Sequence, residues 1–160
     1  MMDFYQKPQS ARLYLCTITI KTNFMETNNH ELAYLLLRVT LGVNFFLHGF
    51  IRIYNGVSGF KEWMIKNFEG TLLTSGLVSP FASILPYLEA LLGLLLLTGL
   101  LTRLSLTTGF LLMICLISGL CIKQDWHTVG IQMIYVIFFF ILIWNLQFNR
   151  YSLDKLFSIR

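Results

Sequence analysis

The sequence predicts an all-α fold: an integral membrane four-helix bundle with a short amphipathic interfacial helix between spans one and two. Two observations carry that expectation. Of 160 residues, 56% are hydrophobic and only 12% charged, about half the charged share of soluble domains. The apolar residues also fall into long blocks, at about 32–54, 81–101, 104–122 and 129–147, each close to the ~20 residues that cross a ~30 Å hydrocarbon core. Backbone groups in lipid must be satisfied internally, and the blocks lack the alternation of a barrel strand, so the spans are expected to be helical.

The chain reads as a single membrane domain, 31–149, between a poorly ordered N-terminal tail, 1–30, and a C-terminal tail, 150–160. The patch LYLCTITI, 13–20, is too brief to span, and no small-residue cleavage site follows it. Met25 opens a run, METNNHELAYLLLRV, that leads straight into span one, so it is a second candidate start and residues 1–24 carry no functional expectation. After span one, VSGFKEWMIKNFEG sets Phe60, Trp63, Met64 and Phe68 at helical spacing opposite Lys61, Glu62, Lys66 and Asn67. This is an amphipathic helix of about three turns, with Trp63 suited to the headgroup level. Gly70, Gly76 and Pro80 then predict a loop, and Pro86 predicts a kink or restart early in span two. Spans two and three are joined through TGLLTRLS, and spans three and four through KQDWHT. Tyr87, Trp126 and His127 read as interfacial residues at span ends.

The net charge of +4 is spread over loops and tails, without the basic stripe and interleaved aromatics of a nucleic-acid surface, so no nucleic-acid partner is expected. The bilayer is the expected partner. With both termini inside, the inner side holds seven Lys and Arg (Lys7, Arg12, Lys21, Arg103, Arg150, Lys155, Arg160) against four outside (Arg52, Lys61, Lys66, Lys123). The expected location is therefore the plasma membrane, the bacterial inner membrane, with cytoplasmic termini. A start at Met25 makes the tally four to four. The cysteines, Cys16, Cys115 and Cys121, form no CxxC; they read as small apolar filler, with no metal site and no thiol relay expected.

Within this apolar background a few polar residues stand out. On a helical wheel Arg38, Asn44, His48 and Arg52 of span one fall within roughly 120°, with Gly42 and Gly49 at one edge. A charge at the bilayer centre costs about 2.5–3.5 kcal/mol, so this face should turn toward other helices or a wet cavity. Glu89 is the single acid in the four spans. It and His48 lie about 9–12 Å below one membrane surface at ~1.5 Å per residue, Arg52 can reach toward them, and Gln132 and Tyr135 of span four sit at similar depth. Arg38 is near the opposite end, too far for direct pairing with Glu89. The set supports two readings: a buried network that fixes helix register, or a polar pocket for a lipid-soluble or small anionic ligand, with Arg52 and His48 as cationic donors and Glu89 holding them, orienting His48, or handling a proton.

These residues resemble the DoxX-like family of four-helix membrane proteins. The resemblance runs from about residue 37 to residue 149. It is carried by LLRVTLGVNFFLHGFIRI, with an arginine, a glycine-bearing turn and then HG followed by a basic residue, and by PYLEALLGLLLLTGLLTRL, with acid, glycine and terminal TR in order. The family's basic residue after HG is often lysine; here it is Arg52, which cannot donate a proton at usable pH. The resemblance implies a membrane subunit of a quinone-linked oxidoreductase system, with Arg38, His48, Arg52 and Glu89 as candidates for a quinone or anion pocket, and not a complete enzyme. No cofactor is expected to be covalently bound, and no flavin, haem or iron–sulfur motif is present, so redox work needs a quinone and a soluble redox partner. A homo-oligomer is the other expected assembly. Two alternatives stay open: a small-solute or proton permease, and a non-catalytic scaffold that docks a partner protein.

Overall fold

The computed structural model describes residues 9–157, with side chains from Asn29 onward. Most of the expected tail 1–30, and residues 158–160, thus lie outside the described side chains. Six α-helices follow in order: α1 Gln9–Tyr54, α2 Val57–Asn67, α3 Ser75–Thr98, α4 Thr102–Lys123, α5 Trp126–Trp144 and, after a 3-10 turn at Leu146–Phe148, α6 Leu153–Leu156. No strand occurs among the described residues. Four helical segments are long and apolar enough to cross a membrane: Asn29–Tyr54 within α1, then α3, α4 and α5. The all-α membrane bundle expected from hydropathy is the fold observed.

The tightest seam joins α1 to α3, which run antiparallel. Three glycines set its spacing. A Cβ on Gly93 would lie 2.2 Å from the Phe46 backbone nitrogen, one on Gly49 would lie 2.3 Å from the Ala90 nitrogen and the Pro86 carbonyl oxygen, and one on Gly42 would lie 2.9 Å from the Leu97 nitrogen. Lipid supplies no hydrophobic drive between helices, so association rests on close backbone approach of this kind. Beside the seam, Leu41, Phe45, Leu92 and Leu96 are buried with Leu106 of α4 and Phe139 of α5. Phe139 meets Phe45 edge to face at 5.4 Å and lies against Gly109, whose missing side chain makes room for the ring.

The second span departs from its sequence expectation. Gly76 and Pro80 belong to helix instead of loop, and α3 runs unbroken from Ser75 through both Pro80 and Pro86. Pro86 is buried against α1, where its carbonyl closes over Gly49. In a packed span the neighbouring helix holds a proline in place, so the helix neither ends nor restarts there.

α2 matches its expected length, and it lies against α3. Met64 is its buried residue, with Phe60, Ile65 and Phe68 packed against the core, while Trp63 is 59% exposed and stacks on Phe60. Gly56 at its start and Gly70 beyond its end both have positive φ, the backbone turn that glycine adopts without strain.

The C-terminal segment does not lead away from the bundle. From Asn149 it folds back under the α3–α4 turn. Asp154 accepts hydrogen bonds from the backbone N–H groups of Leu101 (2.6 Å) and Thr102 (2.7 Å), and its own N–H donates to the Gly99 carbonyl (3.1 Å). These bonds support a turn with left-handed backbone at both Gly99 and Leu101. Leu101 adopts it against its intrinsic preference, so the carboxylate cap offsets a local cost.

Candidate functional site

The polar residues singled out from the sequence divide between the two ends of the bundle. Six of the seven line one cavity at the α2 end; Arg38 does not.

The cavity has a volume of about 790 Å3, within the usual range for ligand sites. Asn44, His48 and Arg52 enter it from α1, Glu89 from α3, and Gln132 and Tyr135 from α5. Their common face on α1 follows from the near-fourfold spacing of 44, 48 and 52. α2 covers the cavity with Phe60, Trp63, Met64 and Asn67, and α4 closes the far wall through Met113 and Leu116. Most of the wall is therefore aromatic or aliphatic, with polar groups at a few points.

Among the described residues, the one ion pair between spans lies here. Arg52 donates from Nη1 to Glu89 Oε2, and its guanidinium carbon sits 4.4 Å from the Phe60 ring centroid. Glu89 is only 6% exposed; a charge so deep needs such a partner. The expectation that Glu89 orients His48 is not met: its hydrogen bond comes from Arg52, which is long enough to reach across the seam. Among the described residues Asn44, His48, Gln132 and Tyr135 make no side-chain hydrogen bond, and Gln132 Oε1 is a buried acceptor without a partner. At the mouth Lys123 Nζ donates to Asn67 Oδ1 (3.0 Å) and lies 3.7 Å from the Asp125 carboxylate. Asp125 caps α5 by accepting from the Thr128 backbone N–H (3.2 Å) and hydroxyl (2.9 Å). Those bonds, the backbone one first, hold its carboxyl below the ordinary range.

Arg38 occupies the other end, and it is the largest of the fully buried side chains among the described residues, at 2% exposure. Its fork is occupied: Nη1 donates to Asn149 Oδ1 and Nη2 to the Tyr151 carbonyl, each at 2.7 Å. Asn149 passes the chain on, donating to Thr102 Oγ1 at 3.0 Å. Gly99 lies so close that a Cβ there would fall 2.1 Å from Arg38 Nη1. Nearby, Arg150 pairs with the buried Glu31 at 2.9 Å, and His30 stacks on Phe148 at 5.0 Å. These contacts form a clasp between α1, the α3–α4 turn and the C-terminal segment. Sequence reading missed Thr102, Asn149 and Asp154, because their partners lie 47 to 111 residues away. It also missed Asn67 and Lys123 as a tie between α2 and α4; their placement at two helix ends was the signal available.

Among the described residues no group of three or more His, Cys, Asp or Glu is gathered to hold a metal ion.

Taken together, four apolar spans and a polar, aromatic-walled cavity under an interfacial helix define a multi-pass membrane protein. The chain belongs to the DoxX family, whose model, described as DoxX, matches residues 33–123. The match covers α1 from its apolar part through α4, and so includes Arg38, Arg52 and Glu89 while stopping short of α5 and the clasp's Asn149. No curated protein and no solved structure matches the chain.

Proposed function

We propose that the protein is the membrane subunit of a quinone-linked oxidoreductase system, and that the α2-end cavity holds the quinone head group. The observation that carries this reading is the chemistry of the wall. A quinone ring offers two carbonyl acceptors on a flat apolar body. The cavity offers N–H and O–H donors on Asn44, His48, Gln132 and Tyr135, free of protein hydrogen bonds among the described residues, and aromatic faces on Phe45, Phe60 and Trp63 to lie against the ring. The volume of about 790 Å3 suits a substituted ring with the first part of its tail. His48 and Asn44 would hold one carbonyl and Gln132 or Tyr135 the other. Arg52, held by Glu89 and Phe60, keeps the polar patch in place. A bound quinone supplies two-electron, two-proton carriage in lipid; the electrons would come from a separate soluble partner docked on the bundle, which itself could be a homo-oligomer.

The same reading puts the chain in the bacterial inner membrane with cytoplasmic termini, on the balance of Lys and Arg. A permease is less well supported, because a path across the bilayer would have to pass the Arg38 clasp, where both terminal guanidinium nitrogens are bonded to the C-terminal segment. The proposal is tested with a short-chain azidoquinone photolabel in native membranes. Adducts concentrated on α1, α3 and α5 around His48, Leu85 and Tyr135, and suppressed by excess decylubiquinone, are the expected result. Adducts spread evenly over lipid-facing positions such as Leu36 and Ile137 would overturn it.

A further inference from the structure

We infer that the cavity selects uncharged ligands and rejects small oxyanions; this deepens the ligand-site reading above and rests on it. The charged groups of the wall come in opposed pairs. Two cations line the cavity, Arg52 and Lys123, and two carboxylates, Glu89 and Asp125, with His48 as the other basic side chain; α2 contributes no charged group to it. Each cation already faces a carboxylate: Arg52 is bonded to Glu89, and Lys123 lies 3.7 Å from Asp125 while donating to Asn67.

An oxyanion entering beside Arg52 meets Glu89 in the same place. To take Arg52 by its full fork it must displace that carboxylate, which is buried and has no second cation within bonding distance among the described residues, and at the remaining nitrogens it would sit against the carboxylate's charge. A buried carboxylate stripped of its partner is strongly unfavourable, so the pair excludes the anion even though it contains an arginine. At the mouth Asp125 opposes an anion at Lys123 by its charge alone, from 3.7 Å and in a more exposed setting, and it is held in place by two bonds from Thr128. The side chains left without a protein hydrogen bond carry no permanent charge: the amides of Asn44 and Gln132, the His48 imidazole and the Tyr135 phenol. They match carbonyl and hydroxyl groups, not phosphate or sulfur oxyanions, which are bound through unpaired arginine forks. Arg52 is thus a positioning residue for the pocket and not its anion receptor.

The test uses the full chain in phosphatidylcholine nanodiscs, titrated calorimetrically with decylubiquinone and separately with sodium thiosulfate and sodium sulfate. Wild-type protein is expected to show no saturable heat with either oxyanion, and neither salt, at constant ionic strength, should shift the decylubiquinone isotherm. Glu89→Gln leaves Arg52 unpaired and should gain saturable oxyanion binding, roughly tenfold or more tighter than any residual wild-type binding. The double variant Glu89→Gln with Arg52→Gln should lose that gain. Asp125→Asn, at the mouth and outside the spans, should give a smaller gain at Lys123 in a protein that keeps the Arg52–Glu89 pair intact, with Lys123→Gln added as its control. Saturable oxyanion binding by wild type that Arg52→Gln removes would overturn the inference, and so would the absence of any gain in both folded carboxylate variants. If decylubiquinone fails to bind while the carboxylate variants gain oxyanion sites, the charge selectivity stands and the quinone reading falls.

Discussion

Arg38 and Arg52 lie on one face of one helix, yet the structure uses them in opposite ways. Arg38 has both terminal nitrogens bonded to a distant part of the chain and is sealed from solvent. Arg52 is tied to Glu89 and Phe60 but keeps 27% of its side chain exposed in a large cavity. The difference lies in what covers each helix end. At the terminal end the C-terminal segment packs directly on the α3–α4 turn; at the α2 end an amphipathic helix bridges over a gap. A polar residue inside a span is therefore structural where the covering segment supplies its hydrogen-bond partners, and available to a ligand where the cover leaves space.

That contrast can be broken first at Arg38. Arg38→Met should strand Asn149 and the Tyr151 carbonyl and cost about 3 kcal/mol or more. Arg38→Lys should recover little of it, since an ammonium cannot reproduce the fork. Thermal unfolding in detergent measures both, and decylubiquinone affinity of the folded fraction should stay within about twofold of wild type if the two ends are independent. Next in size is the seam. Gly93→Ala pushes a methyl group into the Phe46 backbone and should cost about 1–3 kcal/mol, read by the same melt. Asp154→Asn should cost about 1 kcal/mol, the usual worth of a side-chain cap, and should leave cavity binding unchanged.

The smallest effect concerns pH at the α2 end. Asp125 titrates below its unfolded value of roughly 4, so its contribution to stability is fully present above that value and is lost as pH falls through the lower folded one. Melting of the wild type between pH 5 and 3 should therefore fall slightly more than that of Asp125→Asn, in which this titration is gone. An identical pH response in the two proteins would remove Asp125 as a titrating cap.

Much of this organisation was legible in the sequence because hydropathy and the 3.6-residue period are local. The spans, α2, the grouping of His48, Arg52, Glu89, Gln132 and Tyr135 by depth, and the place of Asn44 on the same face of α1 all follow from such signals. What failed depends on distant contacts. Hydropathy sets the start of α3 too late because Pro80 and Gly76 read as loop-forming until α1 and α2 are known to pack on that helix. Depth alone cannot choose between His48 and Arg52, one turn apart, as the partner of Glu89; the reach of the arginine side chain decides it. The clasp was invisible because Asn149, Tyr151 and Asp154 lie in a polar stretch that resembles a solvated tail, and only its return under the turn reveals their partners.

The central claim, that the α2-end cavity is the ligand site, is tested most directly by the fluorescence of Trp63, which lines it. The chain has three tryptophans, so a Trp126→Phe, Trp144→Phe protein carries Trp63 as its sole reporter. Titration with decylubiquinone in nanodiscs should quench it saturably, and filling the cavity with Gly119→Trp in a Trp63→Phe version of the same background should weaken decylubiquinone binding by calorimetry at least about tenfold. Quenching that rises linearly with quinone in the lipid, together with unaltered heats in the filled cavity, would contradict the account.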